Sequence, residues 1–370
     1  MRALSELFDA TTLLLPCLPT HQRMGPRQGA IALTGHALTV QPLPPLAGTD
    51  GWRKLRFPFW LLRNALTIGR AIQAADAIHA PIPGDIGTIG LLLALLLRKP
   101  LFVRHCGNWT RPDTHAEHCW KWLMIRFGGG RNVFLATGGG SAPPAPTNPT
   151  VRWIFSTSLT EAEIQACATG RTPVLHQPPR LLLTARQIED KGTGVVIASL
   201  PELLTEWPEL QFDVVGDGPA LDHFKAQAAA LGVSAQVVFH GQVNHERIIE
   251  LLHAADIFCF PSTGSEGFPK AVLEALACGL PTITSRVSVL PSLIGQGGGL
   301  LLDEISPAAL AAAVRKCLRD PKQYHAMSQR AIATAQNYSL ERWRNTIGGW
   351  LREAWGPLRA SDTRAAAGES

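Results

Sequence analysis

The chain has 370 residues, 46% of them apolar and 17% charged, and a net charge of +5. That length allows two domains with separate cores, and the composition excludes a disordered chain. So mild and dispersed a positive balance gives no ground for a nucleic-acid partner, though it suits an anionic substrate or a membrane surface.

The first residues lack the charged, apolar and cleavage regions of a secretory signal. The longest apolar run, residues 86–97, falls short of the roughly 20 residues that span a bilayer. The seven cysteines are odd in number, scattered and without a CxxC pair. They read as reduced thiols, with no zinc site, in a soluble or peripheral cytoplasmic protein.

In chain order, strands are predicted over residues 12–15, 38–40, 77–80, 101–104, 133–137 and 151–156, with an apolar helix before 101. A Rossmann-like domain opens with strand, glycine-rich turn and helix. Here only a scrap of helix over residues 1–9 precedes the first strand, so the chain is expected to begin one βα unit late. Residues 52–63, WRKLRFPFWLLR, interleave cations with aromatics, and apolar positions 61, 65, 68 and 72 make a helical stripe. Such a helix can lie in a membrane interface, or pack on a sheet with Arg63 and Arg70 on its wet face; the second reading is preferred. His105 stands just past a strand, and residues 138–149 form a loop by composition.

Residues 170–179, GRTPVLHQPP, have no periodicity and mark a domain boundary. The organisation expected is an N-terminal domain over 1–172, a C-terminal domain over 173–337, a helix over 338–355 packing back on the first domain, and a disordered tail over 356–370. After 180, strands at 180–185, 211–215, 237–240, 257–261, 281–284 and 299–302 alternate with helices at 194–205, 219–231, 245–254 and 270–277. Pro219 is placed in the first turn of its helix, and Ser306-Pro307 supplies an N-cap and N1 proline for another. This alternation predicts parallel βαβ units, with ligands bound beyond the carboxyl ends of the strands.

Chemistry concentrates in residues 260–284, FPSTGSEGFPKAVLEALACGLPTIT. A strand ends at Pro261, and a loop of small residues leads through Glu266, Gly267 and Phe268 to Pro269 and a helix. Glu274 lies one turn inside that helix. Free amides at its start would receive an anion, and the two carboxylates would accept from vicinal hydroxyls, as a nucleotide sugar demands. An ordinary loop-to-helix turn is the plainer alternative. Arg186 and Lys191, in TARQIEDKG after the first strand of this half, would neutralise a departing diphosphate, or serve as plain surface charges. Gly216-Asp217-Gly218 and the loop His240-Gly241-Gln242-Val243 follow the next two strands. No D-x-D occurs to hold a metal ion.

The 260–284 stretch closely resembles the E-x7-E segment of retaining GT-B glycosyltransferases of family 4, the group 1 type. The resemblance covers residues 181–343 well and the N-terminal half loosely. It implies two Rossmann-like α/β domains whose parallel sheets face each other across a cleft, and transfer of a hexose from a nucleoside diphosphate sugar without metal or other cofactor. Retention at the anomeric carbon is also implied. Glu266 then contacts the donor sugar and Glu274 the ribose. Amides about Gly267, Phe268 and Pro269 face the sugar and phosphates, although Pro269 has no N–H. Arg186 and Lys191 match the diphosphate clamp, Gly216 and Gly218 a turn near the phosphates, and the backbone at Gly241 and Val243 a contact to the base. His105 matches a histidine near the reacting sugar, but Arg104 before it and Cys106-Gly107 after it depart from the family pattern.

The acceptor implied is a glycan or lipid-linked saccharide, at the inner face of a membrane; the oligomeric state is open. Two other readings remain: a nucleotide-sugar 2-epimerase of the same fold, and a non-catalytic protein that binds a nucleotide sugar or a partner.

Overall fold

Short apolar runs bounded by turn residues become parallel strands in the computed structural model. It describes residues 2–17, 33–46, 51–107, 109–110, 112, 114–140, 142–170, 174–264 and 267–359. Contacts divide the chain into two units. Unit 1 is Met1–Thr137, Pro143–Trp153 and Arg344–Ser370, and unit 2 is Gly138–Ala142 and Ile154–Trp343.

Unit 1 begins with a four-residue helix, α1 (Arg2–Ser5), followed by β1 (Thr11–Pro16) and β2 (Leu38–Leu43), which pair in parallel. Next come α2 (Gly51–Ala74), β3 (Ile78–Ile82), α3 (Asp85–Leu96), β4 (Leu101–His105), α4 (His115–Phe127), β5 (Asn132–Thr137) and β6 (Arg152–Ile154). The sheet order is β3-β4-β5-β6, with β3, β4 and β5 parallel. Ala80, Ile82, Leu101, Val103, Phe134 and Ala136 alternate with their neighbours to make the buried face. The start of α4 is fixed by a capping box: the Thr114 hydroxyl accepts from the Glu117 amide at 3.2 Å, and the Glu117 carboxylate accepts from the Thr114 amide at 3.0 Å.

Helix α2 carries two apolar rows. Of the expected stripe, Ile68 and Ile72 are buried with Leu43 and Ile89, Leu61 packs on that cluster, and Ala65 is exposed. The other row, Leu55, Phe59, Leu62 and Leu66, points to solvent. Among the described residues no helix is long and apolar enough to cross a membrane.

Unit 2 contains α5 (Glu161–Thr169), β7 (Arg180–Thr184), α6 (Thr193–Leu203), β8 (Gln211–Val215), α7 (Leu221–Ala230), β9 (Val237–Gly241) and α8 (His245–Ala254). It continues with β10 (Ile257–Phe260), α9 (Lys270–Ala277), β11 (Thr282–Ser285), α10 (Leu290–Ile294), β12 (Gly299–Leu302), α11 (Pro307–Arg319) and α12 (Pro321–Ala335). All six strands are parallel in the order β12-β11-β10-β7-β8-β9. Both faces of the sheet are covered by apolar clusters, as a parallel sheet requires. Buried Asp213 on β8 accepts from Arg180 at 2.8 Å and pairs with His240 at 2.7 Å, which ties three neighbouring strands together.

The start of one helix differs from the sequence reading. Helix α7 starts at Leu221, and Pro219 stays in the preceding turn. The Ala220 amide donates to the Gln187 carbonyl at 3.1 Å, which ties the turn to the loop after β7 just before the helix begins. The last helix, α13 (Leu340–Trp355), is divided between the units after Trp343. Within unit 1 it buries Ile347 and Leu351. Its Glu353 receives two hydrogen bonds from Arg152, at 2.9 and 3.1 Å.

Candidate functional site

The strand order of unit 2 reverses between β7 and β10, because β8 and β9 continue on one side while β11 and β12 continue on the other. Loops leaving the carboxyl ends of two such strands diverge and leave a crevice. The loops that follow β7 and β10 are the ones that hold the Arg186–Lys191 pair and the E-x7-E segment.

The backbone binds these loops together. The Asp190 carbonyl accepts from the Ser262 hydroxyl at 3.0 Å and from the Thr263 amide at 2.9 Å. Gly192 has φ +87°, and a Cβ there would come within 2.5 Å of the Pro261 carbonyl oxygen. A Cβ on Gly264 would meet the Asp190 carboxylate at 2.2 Å. Glycines at 192 and 264 are therefore what permit the close approach. Ser285, at the end of β11, donates its hydroxyl to the Ser262 carbonyl and fixes the second loop from behind.

The turn after β8 joins the same assembly. Buried Gln187 donates its side-chain amide to the carbonyls of Ala185 at 2.9 Å and Val215 at 3.1 Å, and accepts from the Thr193 hydroxyl at 2.8 Å. Its backbone N–H donates to the Asp217 carbonyl at 3.0 Å. Gly216 has φ +113°, and a Cβ on it would lie 1.9 Å from the Ala185 carbonyl oxygen; on Gly218 it would lie 2.2 Å from that of Gln187. Both glycines let the turn pack on the Arg186 loop. The Gly216 amide donates to Gly241 at 2.8 Å, so the end of β9 is held there too. Val243 beyond it packs on the core.

Arg186 is exposed and Lys191 half-buried. Glu274 is largely buried on α9, with its Oε1 4.0 Å from Nδ1 of His245, the first residue of α8. Burial holds its carboxyl above the usual carboxylate range, against the opposing pull of His245 and Lys270. Helix α9 begins after Pro269, which offers no side-chain cap. Among the described residues space is open around Gly267, since none of their atoms lies within 4 Å of a Cβ built there. Phe268 packs inward against Phe155 and Tyr338, with ring centroids at 6.1 and 5.4 Å, and anchors the loop. Glu266 and its neighbour Ser265 lie outside the described residues.

Unit 2 thus brings together the loops of Arg186, Lys191, Gly216, Gly218, Gly241, Val243 and residues 267–269, with Glu274 on the adjoining helix. His105 belongs to unit 1, at the carboxyl end of β4. It is buried and meets Trp109 edge-on at 5.4 Å. Burial is the main influence that lowers its pKa, so the imidazole is neutral near pH 7. Sequence reasoning missed Gln187 and the organising Asp190 carbonyl. Apart from the Thr193 hydroxyl on Gln187, their contacts run to or from backbone groups, which leave no pattern in residue type.

Comparison with known proteins adds the family. A family model described as "Glycosyl transferases group 1" matches residues 171–334. A GDP-mannose-dependent alpha-(1-6)-phosphatidylinositol monomannoside mannosyltransferase of Mycolicibacterium smegmatis is 31% identical over 336 residues, which cover 83% of this chain and 85% of that one. Among solved structures, a glycosyltransferase from Rickettsia africae matches with a TM-score of 0.65 at 16% identity, over 85% of each chain. Anabaena Alr3699/HepE, solved with UDP and glucose, matches with a TM-score of 0.62 at 18% identity, over 85% of this chain and 86% of that one. These structural likenesses establish the GT-B fold. On the mannosyltransferase relationship and the matching family model, this chain belongs to the group 1 glycosyltransferases and is an enzyme of that class.

Proposed function

We propose that the enzyme transfers a hexose from a nucleoside diphosphate sugar to a hydroxyl of a glycan or lipid-linked saccharide, at the cytoplasmic face of a membrane. The observation that carries this reading is the meeting of the 189–192 and 261–264 loops at the point where the unit 2 sheet reverses. The donor named for the Mycolicibacterium smegmatis relative, GDP-mannose, supports the substrate class.

The reaction breaks the bond between the sugar's anomeric carbon and the diphosphate oxygen. It forms a bond from that carbon to the acceptor oxygen, whose proton is released. Negative charge grows on the diphosphate as the bond breaks. Arg186, Lys191 and the amides at the start of α9 stabilise it, with no metal and no cofactor beyond the donor. Glu274, shielded from water, accepts from the ribose hydroxyls, and Glu266 does so from those of the sugar. The turn at Gly216 and Gly218 lies by the phosphates, and the backbone at Gly241 and Val243 by the base. Neutral His105 is assigned to the reacting sugar on the family resemblance, which also implies retention of configuration. The curated relative is a transferase, and no observation favours the 2-epimerase reading.

Donor turnover tests the assignment. A thermal-shift screen of nucleoside diphosphate sugars identifies the donor, since a ligand at 100 times its Kd adds about 2.7 kcal/mol to stability. With that donor, Lys191→Ala and Glu266→Ala are expected to lower turnover by about 100-fold or more. Wild-type rates in both variants would overturn the assignment.

A further inference from the structure

Helix α2 turns its buried residues, Ile68 and Ile72, toward Leu43 and Ile89. Its core contact is satisfied on that side. The opposite side carries Leu55, Phe59, Leu62 and Leu66, which are 65%, 76%, 75% and 72% exposed. Spacings of four, three and four residues place them in one row along the axis, about 16 Å long at 1.5 Å per residue. Single exposed leucines are ordinary, but a continuous row that includes a phenylalanine marks a surface that something covers.

The charges beside the row say what covers it. Arg56, Arg63 and Arg70 are all exposed, and their seven-residue spacing sets them in a second row along one flank. Helix α2 contains no aspartate or glutamate. An apolar row flanked by guanidinium groups matches the boundary between acyl chains and anionic headgroups, with leucine and phenylalanine entering the first and arginine contacting the second. A second copy of the chain fits less well, because the same face of a second α2 brings no acidic side chain for the arginines to meet. The helix is not apolar enough to cross a bilayer, so contact with one would be made along its side, in the plane of the surface.

We propose that the outward row Leu55, Phe59, Leu62 and Leu66 of α2, with Arg56, Arg63 and Arg70, is a docking face for an anionic lipid bilayer. The proposal deepens the placement of the enzyme at a membrane and rests on that reading, while its evidence comes from the surface of α2 itself.

The test is flotation of the full-length protein with phosphatidylcholine vesicles, with and without phosphatidylglycerol. Wild-type protein is expected to float with the anionic vesicles and to dissociate as salt rises. Phe59→Ser should weaken partitioning by about tenfold or more, since one buried aromatic side chain is lost from the bilayer. Replacing Arg56, Arg63 and Arg70 by glutamine should remove the preference for anionic vesicles. None of these side chains lies in the core, so far-ultraviolet circular dichroism and the melting temperature should stay near wild type. No flotation of wild type at low salt, or equal flotation of the variants, would overturn the proposal. So would a soluble dimer that Phe59→Ser dissociates in the absence of vesicle binding. Donor turnover is read on the same samples without vesicles. Its absence would count against the assigned reaction alone, and lost flotation with intact turnover against the docking face alone.

Discussion

His79 and His105 lie on neighbouring strands of unit 1, each with a buried ring nitrogen. His79 stacks on Phe102 at 4.5 Å, and burial, reinforced by Arg104, lowers its pKa from 6.5 to about 3. The folded protein therefore refuses a proton that the unfolded chain accepts below pH 6.5. Stability from this residue is complete above pH 6.5 and is lost as pH falls toward 3. The expected slope within that window is about 1.4 kcal/mol per pH unit. Urea unfolding followed by tryptophan fluorescence measures it, and eight of the ten tryptophans lie in unit 1. His79→Leu should flatten the acid side of the profile, and equal slopes in variant and wild type would show that the proton goes elsewhere. The downward shift at His105 has the same sign and places its neutral form beside Trp109 at working pH.

At the scale of elements, glycine marks where loops touch. Gly192 and Gly232 both have positive φ, at 87° and 68°. They differ in surroundings: a Cβ on Gly192 would meet the Pro261 carbonyl oxygen at 2.5 Å, and a Cβ on Gly232 would meet no atom of the described residues within 4 Å. Gly232→Ala should cost about 1–2 kcal/mol for the left-handed backbone alone. Gly192→Ala should cost more and also separate the two site loops, so that the thermal shift produced by donor falls only in that variant. An equal fall in both would mean that contact between the loops does not shape the site. The strands of unit 2 were legible because residues such as 257–260, IFCF, are short apolar runs that suit a parallel strand covered on both faces. The motif loops were legible through their glycines, prolines and charges. The preferred packing of the α2 stripe was legible too, since Ile68 and Ile72 are buried and Arg63 and Arg70 exposed. What lay hidden was the second row, 55, 59, 62 and 66, which has the same helical spacing yet points to solvent. The assembly around the Asp190 carbonyl was hidden as well, since any residue can supply a carbonyl.

At the scale of the molecule, unit 2 is nearly continuous in sequence, whereas unit 1 takes its final piece from Arg344 onward. That piece supplies Ile347, Leu351 and the Glu353 carboxylate that receives Arg152. A fragment that stops at Trp153 would lack them and should be expressed as an unstable or aggregated product. The same fragment supplied with a separate peptide of residues 344–359 should regain protection in hydrogen exchange along β4 and β5. Failure of the peptide to restore protection would mean that the closing helix contributes little. The order of synthesis then differs from the order of folding. Unit 2 is complete once Trp343 has been made, whereas unit 1, begun first, lacks a piece until the helix past Arg344 follows. Until that helix joins, Arg152 has no Glu353 carboxylate to meet and the places of Ile347 and Leu351 stand empty, so stalling before residue 344 would leave unit 1 incomplete.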